Sequence, residues 1–352
     1  MKARWCAIVL LMCAASFGAM AGGTSVAKYA GEFTSIGVGG RALGMGGAFV
    51  ALANDVTAGY WNPAGLSHIM YPQAALMHEE RFGSAVNYDY GAIAFPQGTN
   101  TSWGFSVIRI GVDDIQDTRN AAIDASGRLV DYQTYIQNPE NYRIDPSRVT
   151  YFNAADWAFF FTYSKKQSED FSYGASLKVI RRELGDASAT GLGLDIGVWY
   201  MPMDNVMLGV NLQDITTTFL AWNTGTNELI SPTMKIGSAY FIEAFGGRFA
   251  PAIDFDIRFE NRKSASTFAL GPVSFDAHIG TEFLFRNLVA FRVGYNDVKQ
   301  VSFGAGLHLP KLSIDYSFAR FAQSAGDRLD DTHRISLMFT LEAEQFRRVD
   351  GY

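Results

Sequence analysis

Ile253-Asp254-Phe255-Asp256-Ile257-Arg258-Phe259-Glu260 is the stretch that decides the fold. Its odd-numbered side chains are all aliphatic or aromatic and its even-numbered ones are all charged. Side chains alternate between two faces only along a strand, so this stretch is extended. The same rule holds for Leu312, Ile314, Tyr316 and Phe318 against Ser313, Asp315 and Ser317, and for Val289, Phe291, Val293 and Tyr295 against Ala290, Arg292 and Gly294. It holds again for Val206, Leu208, Val210 and Leu212, and for Ile335, Leu337, Phe339 and Leu341. About fourteen such segments begin near residues 72, 85, 101, 153, 171, 191, 204, 232, 250, 272, 287, 298, 310 and 332. Most run for roughly ten to thirteen residues, longer than the ~5–6 of globular strands and enough for the ~9–11 that cross a bilayer at a tilt.

The connections give a second line of argument. Those near 96–100, 201–205, 286–287 and 310–311 are tight, and those near 113–152, 214–231, 262–271 and 322–331 are long. Tight turns at one rim and long loops at the other are the pattern of an outer-membrane barrel, and a soluble sandwich has no reason to sort its loops this way. The expected fold is all-β, a transmembrane antiparallel barrel of about fourteen strands. In such a barrel the polarity of a soluble protein is inverted: the apolar face meets lipid and the charged face lines the lumen. The expected lumen-facing polar residues are Asp254, Asp256, Arg258, Asp276, His278, Glu282, Arg292 and Asp315. Trp103, Trp157, Tyr163, Tyr173, Trp199, Tyr200, Tyr240 and Tyr295 lie near strand ends, where they would form interfacial girdles.

Composition agrees. The 352 residues are 48% hydrophobic and only 18% charged, with 35 Gly, 27 Phe, 16 Tyr and 6 Trp. Mean hydropathy is +0.02, too apolar for a disordered chain and too polar for a bundle of membrane helices. The net charge of −6, without a Lys/Arg cluster, argues against a nucleic-acid partner.

Residues 1–21 have the form of a secretory signal: basic Lys2 and Arg4, an uncharged run from Trp5, and Ala19-Met20-Ala21 at the expected cleavage site. Cleavage would remove Cys6 and Cys13, the only cysteines, leaving no thiol, disulfide or Cys-bound metal. Residues 22–70 then form a Gly-rich apolar segment, compact enough to be a plug inside a lumen. Asn62 before Pro63 predicts a short helical turn, with Asn as cap and Pro in the first position. The barrel would occupy 71–342, and 343–352 form a polar tail.

The segment Gly40-Arg41-Ala42-Leu43-Gly44-Met45-Gly46-Gly47-Ala48, followed by Ala53-Asn54-Asp55 and Tyr60-Trp61-Asn62-Pro63-Ala64-Gly65-Leu66, resembles the N-terminal signature of the PorV/PorQ family within the FadL-like outer-membrane barrels. The resemblance implies fourteen strands, an N-terminal segment in or under the barrel, and a gate at Asn62, Pro63, Ala64 and Gly65. The signature covers about thirty residues. One departure is the polar tail that follows the last strand, where many outer-membrane proteins end on an aromatic strand residue.

Catalytic and cofactor motifs are weak. Gly37-Val38-Gly39-Gly40-Arg41-Ala42 fits a dinucleotide fingerprint on paper, but no helix–strand alternation follows, and close backbone packing accounts for the glycines. Asp276 and His278 share one strand face and could act as base and orienter, yet Glu282 continues that face as an ordinary polar lining. There is no His-x-x-x-His for zinc, and the acids of 113–150 lack the spacing of a calcium loop. That long segment, with Tyr132, Tyr135 and Tyr142 among its acids, is either a surface loop meeting a partner or disordered.

The sequence thus points to a non-enzymatic barrel in outer-membrane lipid, with no cofactor and no metal. Two functions compete. One, implied by the resemblance, is docking or escorting exported proteins through the long loops, in the manner of type IX secretion machinery. The other is FadL-like passive transport of hydrophobic small molecules through a plugged lumen.

Overall fold

A computed structural model describes residues 24–26, 31–82, 84–260, 262, 266–322 and 331–348; the expected leader and the last four residues of the tail lie outside them. Fourteen antiparallel strands close into one barrel. They are β1 (Gln73–Arg81), β2 (Val86–Gln97), β3 (Thr101–Asp117), β4 (Thr150–Ser168), β5 (Phe171–Leu184), β6 (Ala187–Met203) and β7 (Val206–Gln213, continued by Thr218–Trp222). The remainder are β8 (Asn227–Ile230, continued by Thr233–Tyr240), β9 (Gly247–Arg258), β10 (Val273–Phe285), β11 (Val289–Tyr295), β12 (Gln300–Leu309), β13 (Leu312–Phe321) and β14 (Thr332–Thr340). β14 returns to β1 in register from Gln73↔Thr340 to Glu80↔His333. Closure gives each strand two neighbours, which backbone polar groups require in hydrocarbon.

Burial alternates along the strands, except in the short Asn227–Ile230 piece of β8, and places the two faces. Leu76, Ile93, Phe161, Leu177, Ile253, Phe291 and Phe303 are exposed on the outside, whereas Asp195, Lys178, Lys235, Asp254, Asp276 and Arg292 are buried inside. Trp103 stacks edge-on against Tyr163 (4.9 Å) on the outer face near the tight-turn rim. Trp199, expected in the girdle, instead points inward and is buried, because it shares parity with interior Asp195 and Gly197.

The stretch 214–231, expected as a long loop, is half strand. Thr218–Trp222 pairs with β6 and with Asn227–Ile230, so the turn shrinks to 223–226. The interruption at 214–217 is a bulge, with Asp214 and Thr217 in the left-handed region (φ 53° and 57°). Three connections at the long-loop rim are also tight, at 82–85, 185–186 and 296–299.

The long connection 118–149 is ordered. Ala122–Ile123 pairs with Arg143–Ile144, and helix Tyr132–Gln137 is capped by the Asp131 carboxylate, which accepts from the Gln133 and Thr134 amides. Asp145 caps the 3₁₀ turn Pro146–Arg148 in the same way. The loop acids are therefore used locally as caps, which also holds the Asp131 and Asp145 carboxyls below their ordinary range through the Thr134 and Ser147 hydroxyls and the capped amides.

Candidate functional site

Residues 31–70 lie inside the barrel and fill it. Val38, Met45, Ala48, Phe49, Leu52, Tyr60, Trp61, Leu66 and Ile69 are buried, and the segment supplies half of the apolar core cluster. The segment has little regular structure: helices Gly40–Gly44 and Ala58–Trp61, and 3₁₀ helices Glu32–Ser35 and Pro63–His68. It coheres through its own side chains, since the Trp61 indole donates to the Val38 carbonyl (2.9 Å) and the Tyr60 hydroxyl to the Thr34 carbonyl (2.7 Å).

Wall side chains reach the segment from nearly every direction. The Gly40 amide donates to Ser336 Oγ on β14 (2.9 Å), and the Phe49 and Val50 amides both donate to Asp254 Oδ2 on β9 (2.7 and 2.8 Å). On the other side, the Asn211 side-chain amide donates to the Trp61 carbonyl (3.0 Å) and the Trp199 indole to the Ala51 carbonyl (2.9 Å). Ser164 and Ser172 donate to the Ala64 carbonyl (2.8 and 3.1 Å). Each group satisfies a backbone atom that an irregular buried segment would otherwise leave unpaired.

Asn62 is the junction. Its side chain donates to the Val50 and Val198 carbonyls (3.0 Å each) and accepts from the Ala64 amide (3.2 Å), so one residue ties two parts of the segment to β6 while capping the 3₁₀ helix. Pro63 occupies the first helical position, and Ala64 offers its carbonyl to the two serines. A Cβ on Gly65 would overlap the Ala53 carbonyl. The wall is cleared to match. Gly280 and Gly294 face Met45 so closely that a Cβ on either would collide with its backbone.

The ionic contacts form separate groups. Arg41 donates from Nε and Nη2 to Glu282 (3.0 Å each) and from Nη1 to Asn54 (2.9 Å). Behind it Arg292, wholly buried, bridges Glu282 and Asp315 at 2.6 Å each. Burial alone would lower the Arg41 guanidinium, but Glu282 and Asp55 reverse this and raise it. Asp256 pairs with Lys235, and Asp276 with Arg262 (2.5 Å) and more distantly with Arg258 (3.9 Å). His278 donates to the Gly46 carbonyl (2.9 Å) and stands 3.7 Å from Asp256. Asp276 and His278 therefore serve different partners and make no base–orienter pair.

Next to the Arg41–Glu282 contact, toward the tight-turn rim, lies a cavity of about 240 Å³ lined by Arg41, Gln73, Met77, Tyr90, Arg248 and His308 among others. Arg41, Asn54, Asn211 and the wall serines and glycines were not singled out from sequence as site residues. Apart from Asn54, which meets Arg41 13 positions away, their contacts named above run to chain positions a hundred or more residues away, 241 for Arg41 and Glu282.

A family model for an uncharacterised protein family, UPF0164, matches residues 12–192, just over half the sequence. The chain belongs to UPF0164. No curated protein matches it by sequence. Among solved structures, this UPF0164 member is similar to the Ralstonia pickettii toluene transporter TbuX, at 12% identity and TM-score 0.57, covering 86% of this chain and 98% of that one. It is similar also to the CymD monoaromatic hydrocarbon channel, at 13% identity and TM-score 0.58 over 88% and 98% of the two chains. A Pseudomonas aeruginosa FadL homologue aligns at 12% identity and TM-score 0.52, over 84% and 96%. The fold is thus that of FadL-like barrels. The finer PorV/PorQ resemblance is not reached by these matches.

Proposed function

We propose that this chain is a passive outer-membrane conduit for hydrophobic small molecules, with residues 31–70 as its stopper and Asn62, Pro63, Ala64 and Gly65 as the gate element. The tight-turn rim faces the periplasm and the long loops face outward. The observation that carries this reading is the way the lumen is filled. The stopper, residues 31–70, is seated on the wall by hydrogen bonds and two ionic contacts, Arg41–Glu282 and Glu32–Arg258, each individually worth a few kcal/mol at most, and not by continuous strand pairing. Such a seat can be left and regained, and the cavity beside Arg41 is where a passage would begin. The transporters and channels among the structural neighbours support the same reading.

The test uses cells whose outer leaflet is lipopolysaccharide, because phospholipid vesicles let hydrophobic solutes pass unaided. Entry of a fluorescent aromatic hydrocarbon is compared for cells with the chain, with its Asn62→Ala/Pro63→Ala variant, and with neither. The expected result is entry that depends on the chain and changes several-fold in the variant. Equal entry in all three overturns the proposal.

A further inference from the structure

The N-terminal segment leaves the lumen through Ile69, Met70, Tyr71 and Pro72 before β1 begins. The other end of the chain holds these residues from below. The Leu341 amide donates to the Pro72 carbonyl (2.9 Å) and the Arg348 amide to the Met70 carbonyl (2.8 Å). The Arg348 guanidinium donates to the Ile69 carbonyl (3.0 Å) and to the Ser102 hydroxyl on β3 (2.5 Å). Between these anchors the tail makes one 3₁₀ turn, Glu344–Phe346.

Arg348 is only 6% exposed, and its Nη1 has no hydrogen-bond partner among the described residues. All its acceptors among the described residues are neutral. A buried guanidinium paired with a carboxylate is hard to withdraw, because the abandoned anion is stranded. One held by carbonyls and a hydroxyl leaves only neutral groups behind, and it regains hydration when it leaves. The contact is strong enough to hold and cheap enough to open.

We propose that residues 341–348 form a strap across the tight-turn rim, with Arg348 as its catch, and that the N-terminal segment moves only after the strap releases Ile69–Pro72. The inference rests on the reading of that segment as a movable stopper. It also fixes where the hinge lies, between the 3₁₀ helix Pro63–His68 and the first residue of β1.

The test is hydrogen exchange on the full chain in lipid nanodiscs, with amides of β5 and β6 as internal reference. Arg348→Ala removes the catch. A second variant, Met70→Cys/Arg348→Cys, places two thiols across a backbone hydrogen bond, so that oxidation locks the strap and reduction frees it on one folded preparation. The expected result is that amides of 64–70 exchange about tenfold faster or more in Arg348→Ala and in the reduced pair, and return to slow exchange in the oxidised pair. Equal exchange of 64–70 in the reduced and oxidised pair overturns the strap, whether or not Arg348→Ala folds. The readout is independent of solute entry. Strap-dependent exchange without chain-dependent entry would leave the strap standing and remove the conduit.

Discussion

Arg41 and Glu282, 241 positions apart in sequence, meet through two charge-assisted hydrogen bonds of 3.0 Å each. This pair is the strongest single tie between the N-terminal segment and the wall, since Glu282 is itself fixed by Arg292. Arg41→Ala should therefore loosen the segment without unfolding the barrel, at a cost of about 2 kcal/mol. A cysteine at Ala48, fully buried in the segment, should then react with a water-soluble maleimide roughly ten- to thirtyfold faster than in the Arg41 protein.

Gly280 is where the wall yields to the segment. Valine there would strike the Met45 carbonyl, backbone that cannot move aside as a flexible side chain could. Gly280→Val should displace the segment and expose the same Ala48 cysteine, while the strands keep their circular-dichroism signal. Gly91→Ala, whose added methyl meets only side chains at ordinary contact distance, should leave labelling unchanged.

Neighbouring positions on β9 should respond in opposite ways. Ile253→Lys puts a charge on the lipid face and should cost about 2–4 kcal/mol near the bilayer centre, read from urea unfolding in vesicles. Asp254→Ala removes the acceptor of the Phe49 and Val50 amides, and should loosen the segment with less effect on insertion of the barrel.

His68 gives the segment a pH dependence. Burial, reinforced by Lys166 and Arg348 and opposed by Glu169, pushes its imidazole down to about 4, where it packs on Trp199 with ring centroids 4.2 Å apart and contacts Ser172. The unfolded chain binds that proton near pH ~6.5, so the neutral form's contribution is complete above that value. It falls as pH drops toward about 4 and levels off below, by at most roughly 3 kcal/mol. Protection of amides 64–68, taken relative to their intrinsic exchange rate at each pH, should fall across that window, and His68→Phe should flatten the profile.

The barrel was legible because alternation is local: each strand carries its own record of two faces, and nearly every strand begins within a few residues of its expected start. Errors arose where that record was short or ambiguous. Thr218–Trp222 is a strand of five residues behind a bulge that breaks the parity of β7, so it read as loop. Trp199 was placed by residue type, although its parity with Asp195 marked it as interior. The seat of the segment was hardly legible at all. Arg41, Asn211 and Arg348 act on partners that only closure of the barrel brings near, and the cleared glycines look like any others until the segment lies against them.

The most direct test of the account is a nitroxide scan of residues 253–258 in lipid bilayers, feasible because Cys6 and Cys13 are the only native cysteines and both precede the described residues. Labels at 253, 255 and 257 should be relaxed by oxygen dissolved in the lipid and not by a water-soluble nickel chelate, while labels at 254, 256 and 258 should be shielded from the lipid oxygen. Even-numbered labels open to lipid oxygen, with odd-numbered ones shielded, would contradict the inverted barrel on which everything else depends.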